Sequence, residues 1–265
     1  MSILDEIIQE FSNYDGIEAV VLSGSSSYSS DDKLSDWDIY IYSKDGVDVG
    51  FRTKVAEKFS NDFEVNNQFF ENGDEWLLKD KSKIVDIMYR RCCDIEASVD
   101  WTWHKFGACV GYSTCFIFNI KNSKILYDKN GWFKSLQDSV SGEYPEKLAE
   151  NIITKNLPLL KTKKFSSFLE QYKKAIQRND KISENHRLTA FLASYFDVLF
   201  AKNRVLHCGE KRLLNFALDN CKILPKNFKE DMTGLFETNE QVEQNKQEIK
   251  IKILNSLADN LKKII

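Results

Sequence analysis

The pattern of hydrophobic and polar residues changes near the middle of the chain. In the first half, short apolar runs rich in β-branched and aromatic residues alternate with turn signals, which is typical of strands. The strongest runs predict strands over residues 19–22, 39–42, 82–89, 112–120 and 124–128. Apolar residues at helical spacing predict helices over residues 2–13 and 51–59. The first half is therefore predicted to be an α/β (α+β) domain with a mixed β-sheet flanked by helices.

From about residue 132 the strand signal stops and long stretches of helical periodicity follow. These stretches predict helices over residues 145–178, 183–203, 209–221, 225–237 and 239–264. A change from mixed α/β to nearly all-α patterning is evidence for two domains. We therefore expect an α/β domain at residues 1–140 and an all-α helical-bundle domain at residues 141–265.

The composition is that of an ordinary soluble protein and excludes few kinds of chemistry. Hydrophobic residues make up 42% and charged residues 29% of the 265 residues, and the net charge is −3. This acidic excess counts against nucleic acid as the main partner. No apolar run approaches the ~20 residues that span a bilayer, and the amphipathic first helix is not a signal peptide. We therefore expect a cytoplasmic protein without a membrane partner. The six cysteines and three histidines lack the spacing of zinc ligands, so no zinc site is expected.

The polar residues between the first two strands indicate a cation site. Asp36 and Asp38 are two residues apart at the start of the second strand, a spacing that places both side chains on one face. Neighbouring carboxylates repel each other unless a cation lies between them, and hard oxygen ligands favour Mg²⁺. Gly24-Ser25 directly follows the first strand, where backbone amides and hydroxyls can hold phosphate oxygens. A turn rich in Ser and Asp would explain the loop, but not two motifs that each adjoin a strand.

Gly24-Ser25 followed by Ser35-Asp36-Trp37-Asp38 resembles the signature of the polymerase-β-like nucleotidyltransferase superfamily. The motif is most similar to the small bacterial branch that includes aminoglycoside and lincosamide nucleotidyltransferases. That family carries a third carboxylate on a later strand, and Asp86 in the predicted strand 82–89 matches this position.

The resemblance implies the residues that bind substrate and metal. Two Mg²⁺ ions and an NTP, expected to be ATP, would be bound, with Asp86 either holding the second ion or acting as general base. The implied catalytic and metal-binding residues are Asp36, Asp38 and Asp86. The implied nucleotide-binding residues are Gly24, Ser25, Ser26, Ser35 and Lys211. If Asp86 pointed into the core, the next candidates would be Glu71, Asp74 and Glu75.

Lys211 enters through a second, weaker resemblance. Residues 183–214 are similar to the helical part of a bacterial domain of unknown function, the DUF4037 type, in which Gly-Glu-Lys is typical. The chain has Cys208 where that branch usually has a proline. By this resemblance Lys211 binds the triphosphate; alternatively, Glu210, Lys211 and Arg212 form a solvated first helical turn.

The predicted function is the transfer of a nucleoside monophosphate from an NTP to a hydroxyl of a small acceptor, with release of pyrophosphate. The acceptor could be an aminoglycoside- or lincosamide-like antibiotic. Two alternatives stay open: a nucleotidyltransferase acting on protein or RNA, and a catalytically silent scaffold that binds nucleotide. The oligomeric state is not predicted.

Overall fold

The computed structural model describes residues 2–24, 36–69, 71–162, 166–237 and 243–265, with the side chains of the last range from residue 247 onwards. The chain forms two compact units. The first comprises Met1–Asp100 and Asn119–Gly142, and the second comprises Trp101–Phe118 and Glu143–Ile265. The later junction lies near the boundary expected at residue 140. Residues 101–118, however, belong to the second unit, whereas the sequence pattern placed them in the first domain.

A six-stranded mixed sheet forms the centre of the first unit. Its strands are β1 (Ile17–Ser23), β2 (Trp37–Ser43), β3 (Ser60–Asn67), β4 (Gly73–Leu78), β5 (Ile84–Arg91) and β6 (Lys124–Asp128). The strand order is β3-β4-β5-β2-β1-β6. The β2–β5 pair is parallel and the other neighbouring pairs are antiparallel. This order places the strand bearing Asp38 directly beside the strand bearing Asp86.

Two helices cover one face of this sheet. They are α1 (Ile3–Ser12), which begins with a capping box between Ser2 and Asp5, and α2 (Val49–Phe59). Phe11 of α1 stacks on Trp76 of β4 with ring centroids 6.1 Å apart. Alternate strand residues point into this core, as the period of a strand requires.

The opposite face of the sheet is more polar, and described helices of the first unit cover part of it. The remaining helices with residues in the first unit are α3 (Cys92–Val99), α4 (Cys115–Asn122), whose last four residues belong to it, and α5 (Trp132–Ser139). Tyr42 of β2 packs on this face against Trp132 and Phe133 of α5. The part of the face that bears Asp38 and Asp86 is half-buried.

Residues 112–120 were predicted to form a strand, and this prediction was wrong. Most of the run lies in α4, although its aromatic and β-branched residues favour a strand. Ile117 and Ile120 are both buried, and their spacing of three residues fits one face of a helix. Tertiary packing of this face outweighs the local preference.

The second unit is helical. Its helices after α5 are α6 (Glu146–Leu160), α7 (Phe168–Gln177), α8 (Lys181–Asn203), α9 (Leu213–Asn220), α10 (Phe228–Gly234) and α11 (Glu243–Ile264). The single helix predicted over residues 145–178 is in fact two, because Ser167 caps the start of α7 by accepting a hydrogen bond from the amide of Glu170. Helix α8 is the central helix, and residues 193–201 on it are buried on all sides.

A buried polar group anchors the segment 101–118 within the second unit. Asp197 of α8 is 2% exposed and accepts hydrogen bonds from the amide of Ser113 at 3.0 Å and its hydroxyl at 2.6 Å. The side-chain amide of Asn156 donates to the same carboxylate at 3.3 Å. Burial raises the pKa of Asp197 to about 6, although the Ser113 bonds act in the opposite direction.

In the part of the chain that the structure describes, no helix is both long enough and apolar enough to cross a membrane.

Candidate active site

Gly24, at the end of β1, lies directly against the side chain of Asp38. Its φ angle is +66°, and a Cβ added to it would lie 1.8 Å from Oδ2 and 3.1 Å from Cβ of Asp38. A residue with a side chain would therefore be strained in its backbone and would displace the carboxylate. The glycine of the Gly24-Ser25 motif is thus required by the close approach of the backbone to Asp38.

Asp38 and Asp86 are neighbours across the parallel β2–β5 pair. The two residues are paired in register, so their side chains lie on the same face of adjacent strands, about 4.8 Å apart in the pairing direction. Both are half-buried. Asp36 precedes β2 and is exposed. Two carboxylates at this spacing raise each other's energy when both are charged, and a cation between them would relieve the repulsion.

Two more carboxylates continue this row across the sheet. Glu75 of β4 pairs with Asp86, and Glu64 of β3 pairs with Glu75, so all have the same register position on the same face. Glu64 and Glu75 are exposed. The row makes this face negative from β2 to β3, which suits a positively charged ligand.

Arg90 places a fixed positive charge on the same face. It lies four residues beyond Asp86 on β5, and its guanidinium stacks on the ring of Tyr40 at 4.1 Å from the centroid. Two of its nitrogens donate to the Glu71 carboxylate, each at 2.7 Å. Burial raises the pKa of Tyr40, the charge of Arg90 lowers it, and the charge of Asp38 raises it further. These side chains thus form one electrostatic environment with the Asp38 carboxylate.

A chain of hydrogen bonds holds the end of β1 on this face. The Asn119 side-chain amide donates to Ser23 Oγ at 2.7 Å, and the hydroxyl oxygens of Ser23 and Ser123 are 2.9 Å apart. The Ser123 hydroxyl donates to the carbonyl of Asn119 at 2.7 Å, so Ser23 is the donor in the bond between the two serines. Ser23 is paired with Asp38 across the antiparallel β1–β2 ladder.

The donor set fits Mg²⁺ held jointly by protein and substrate. Among the residues described, no three His, Cys, Asp or Glu side chains are grouped so that they could hold a metal ion. Mg²⁺ is commonly bound by one or two carboxylates together with substrate phosphates and water. Asp38 and Asp86 meet that requirement, and the assignment of all three aspartates as metal ligands stays a prediction.

The remaining predicted site residues lie elsewhere or are not described. Ser25, Ser26 and Ser35 fall outside the described residues. Lys211 is exposed in a turn of the second unit. Helix α9 begins only at Leu213, so Lys211 is not in a first helical turn as the sequence pattern suggested. Its role in nucleotide binding stays a prediction.

The alternative candidates for the third carboxylate were Glu71, Asp74 and Glu75, and only one of them lies near Asp86. Asp74 is completely buried on the opposite face, where it accepts hydrogen bonds from Arg52, from the Tyr89 hydroxyl at 2.7 Å and from the amide of Asn66 at 2.8 Å. Glu71 pairs with Arg90. Only Glu75 lies in the row with Asp86.

Sequence reasoning missed three polar residues of this face. Tyr40 and Arg90 follow Asp38 and Asp86 at multiples of two residues, so strand alternation alone could have indicated them. Asn119 could not be found in this way, because residues 112–120 were taken for a strand.

Comparison with known proteins finds a family match over part of the chain and a distant structural similarity. Residues 112–211, less than half of the chain, match the family described as Domain of unknown function (DUF4037). No curated protein matches the chain. A solved structure, "nucleotidyltransferase-like protein from Exiguobacterium sibiricum 255-15", is similar with a TM-score of 0.48 and 9% identity. The similarity covers 97% of this chain and 74% of that one, and it is too distant to carry an argument about the site. The class defined by the structure is an α/β unit with a mixed six-stranded sheet, accompanied by a helical unit.

Proposed function

We propose that the first unit is a Mg²⁺-dependent nucleotidyltransferase. It moves a nucleoside monophosphate from an NTP, with ATP as the expected donor, to a hydroxyl of a small acceptor and releases pyrophosphate. The observation that carries this proposal is the in-register pair Asp38 and Asp86, with the backbone of Gly24 packed against Asp38. The motif resemblance supplies the reaction class, and this geometry supplies the reason why the motif residues belong together.

The reaction has simple requirements on this face of the sheet. The acceptor oxygen forms a bond to the α-phosphorus, the bond from that phosphorus to pyrophosphate breaks, and the hydroxyl proton must be accepted. Asp86 is half-buried beside Asp38, and its carboxylate is the group we assign to take this proton or to hold the second ion. Bound Mg²⁺ would neutralise phosphate charge and lower the pKa of the acceptor hydroxyl.

The charge of this sheet face bears on the class of acceptor. The negative row that continues through Glu75 and Glu64 favours a cationic acceptor over RNA, whose phosphates it would repel. An aminoglycoside- or lincosamide-like antibiotic fits this preference, and a protein side chain is the alternative.

A transfer assay with α-³²P-labelled NTPs tests the proposal. Purified protein with Mg²⁺ is offered aminoglycosides, lincosamides, RNA and the protein itself, and labelled product is counted. We expect label in a small-molecule acceptor and a loss of at least about 100-fold in Asp38→Asn and Asp86→Asn.

Asp94→Asn is the control for this assay. It removes an exposed carboxylate that pairs with Arg91 and is not part of the row, and it should leave transfer unchanged. Transfer that survives in Asp38→Asn, or no transfer to any acceptor with any of the four NTPs, would contradict the proposal.

A further inference from the structure

Asp38 is backed by main chain, so its position depends on what holds that main chain. The Cα of Gly24 fills the space beside the Asp38 carboxylate, and Gly24 directly follows Ser23. Ser23 is 2% exposed and forms side-chain hydrogen bonds only through the chain that includes Asn119 and Ser123, as far as the described residues show. The residue that fixes Ser23 therefore also fixes the wall against which Asp38 rests.

We propose that Asn119 is a positioning residue for the Asp38 carboxylate. This inference rests on the proposed function, because it concerns the same cation site. Asn119 lies on α4 and has no described contact with the carboxylates of the row. It acts through Ser23, to whose hydroxyl its side-chain amide donates at 2.7 Å.

The hydrogen bonds among these three residues begin at the Asn119 side-chain amide and end at the Asn119 carbonyl. Ser123 uses its hydrogen on the Asn119 carbonyl, Ser23 uses its hydrogen on Ser123, and the lone pair left on Ser23 accepts from the Asn119 amide. Each hydroxyl thus has one defined donor role and cannot rotate without losing a buried bond.

Gln137 offers a matched control. Its side-chain amide donates to the carbonyls of Ile120 and Ser123, both at 2.9 Å, so it also stabilises the end of α4. It has no described contact with Ser23. Gln137→Ala should loosen the helix as much as Asn119→Ala does without releasing the end of β1.

Mn²⁺ binding to the full chain, followed by electron paramagnetic resonance, tests the inference. We expect Asn119→Ala to bind Mn²⁺ about tenfold more weakly than the wild type, the low end of the effect of residues that orient metal ligands. Ser123→Ala should have a smaller effect, and Gln137→Ala none. In the metal-free protein, the carboxyl ¹³C resonance of Asp38 should shift in Asn119→Ala and stay in place in Gln137→Ala. If Asn119→Ala does not fold, Asn119→Ser, which keeps a hydroxyl but is too short to reach Ser23, replaces it.

The outcomes separate this inference from the proposed function. If the wild type binds Mn²⁺, Asp38→Asn does not, and Asn119→Ala matches Gln137→Ala in affinity and in the Asp38 resonance, the cation site stands and the positioning role is wrong. If the wild type binds no Mn²⁺, or Asp38→Asn binds it equally well, the proposed function fails and the positioning role fails with it.

Discussion

The two faces of the sheet differ in the surroundings that they give to a carboxylate. Asp74 and Asp86 lie on the neighbouring strands β4 and β5 but on opposite faces. Asp74 is completely buried and paired with Arg52, which is itself 1% exposed. Asp86 is half-buried and has another carboxylate, Asp38, as its partner in register. The first arrangement neutralises the charge within the fold, whereas the second concentrates negative charge where a ligand can reach it.

The difference separates a structural role from a binding role. A buried ion pair tolerates the loss of one partner badly, because the other charge is left in a medium of low polarity. A pair of like charges in partial contact with solvent costs stability as it stands, so the loss of one member should not weaken the fold. Removal of a carboxylate should therefore lower the stability of the fold on one face of the sheet and not on the other.

The largest effect is expected on the buried face. Asp74→Ala leaves the Arg52 guanidinium without its carboxylate, and the free energy of unfolding should fall by about 3–5 kcal/mol. Urea denaturation measures this. Asp94→Ala, which breaks an exposed pair with Arg91, should leave the unfolding midpoint unchanged. Equal stability of Asp74→Ala and the wild type would remove the contrast between the faces.

Asp197, a buried carboxylate without a described arginine partner, should make the stability of the protein depend on pH. The described contacts of Asp197 are with neutral donors, and burial raises its pKa from 3.8 to about 6. The folded state therefore binds more protons than the unfolded state between these pH values, so stability falls as the pH rises from about 4 to about 6. The total change is on the order of 3 kcal/mol at 1.36 kcal/mol per pKa unit. Because other carboxyl groups also titrate in this range, the quantity to compare is the difference in unfolding free energy between the wild type and Asp197→Asn. Measured by thermal unfolding, the stability of the wild type relative to Asp197→Asn should fall by this amount as the pH rises. Identical pH profiles would mean that Asp197 is not buried as described.

Gly24→Ala should have a smaller effect on stability and a specific effect on the site. A left-handed alanine costs about 1–2 kcal/mol, and the new methyl group would displace the Asp38 carboxylate. Gly131 has a φ of +72° with nothing within 4 Å of an added Cβ, so Gly131→Ala should cost similar stability and leave cation binding intact. Thermal unfolding measures the stability of both variants. Calorimetric titration of the folded variants with Mn²⁺ measures their cation binding. Loss of binding in both would mean that the effect is not local to Asp38.

The smallest effect on stability is expected at the carboxylate pair itself. Without divalent cation, Asp86→Asn removes one of two like charges and should be neutral or stabilising by up to about 1 kcal/mol. The melting temperature in the presence of a chelator measures this. A drop of several degrees would show that Asp86 has a structural role like that of Asp74.

How much the sequence reveals depends on how local the signal is. The resemblance associated Asp86 with Asp38, and the period of two residues then determines which side chains of each strand share a face. The alternation of the two strands does not by itself contain the parallel pairing of β2 with β5. The strand predicted at residues 112–120 was wrong because its residues favour strands locally, and only the burial of Ile117 and Ile120 makes α4. Asn119 could therefore not be connected with Ser23, which lies 96 residues earlier. The Arg52–Asp74 pair could not be predicted for the same reason, because only the packing of the fold brings these two charged residues together.

The central claim is that Asp38 and Asp86 bind a divalent cation together with a nucleoside triphosphate. Calorimetric titration of the full chain with a non-hydrolysable ATP analogue tests it most directly, with Mg²⁺ and with a chelator, for the wild type, Asp38→Asn and Glu64→Gln. The account predicts tight binding only with Mg²⁺ in the wild type and in Glu64→Gln, and binding at least about tenfold weaker in Asp38→Asn. Equal affinity in Asp38→Asn and the wild type, or binding that does not depend on Mg²⁺, would contradict it.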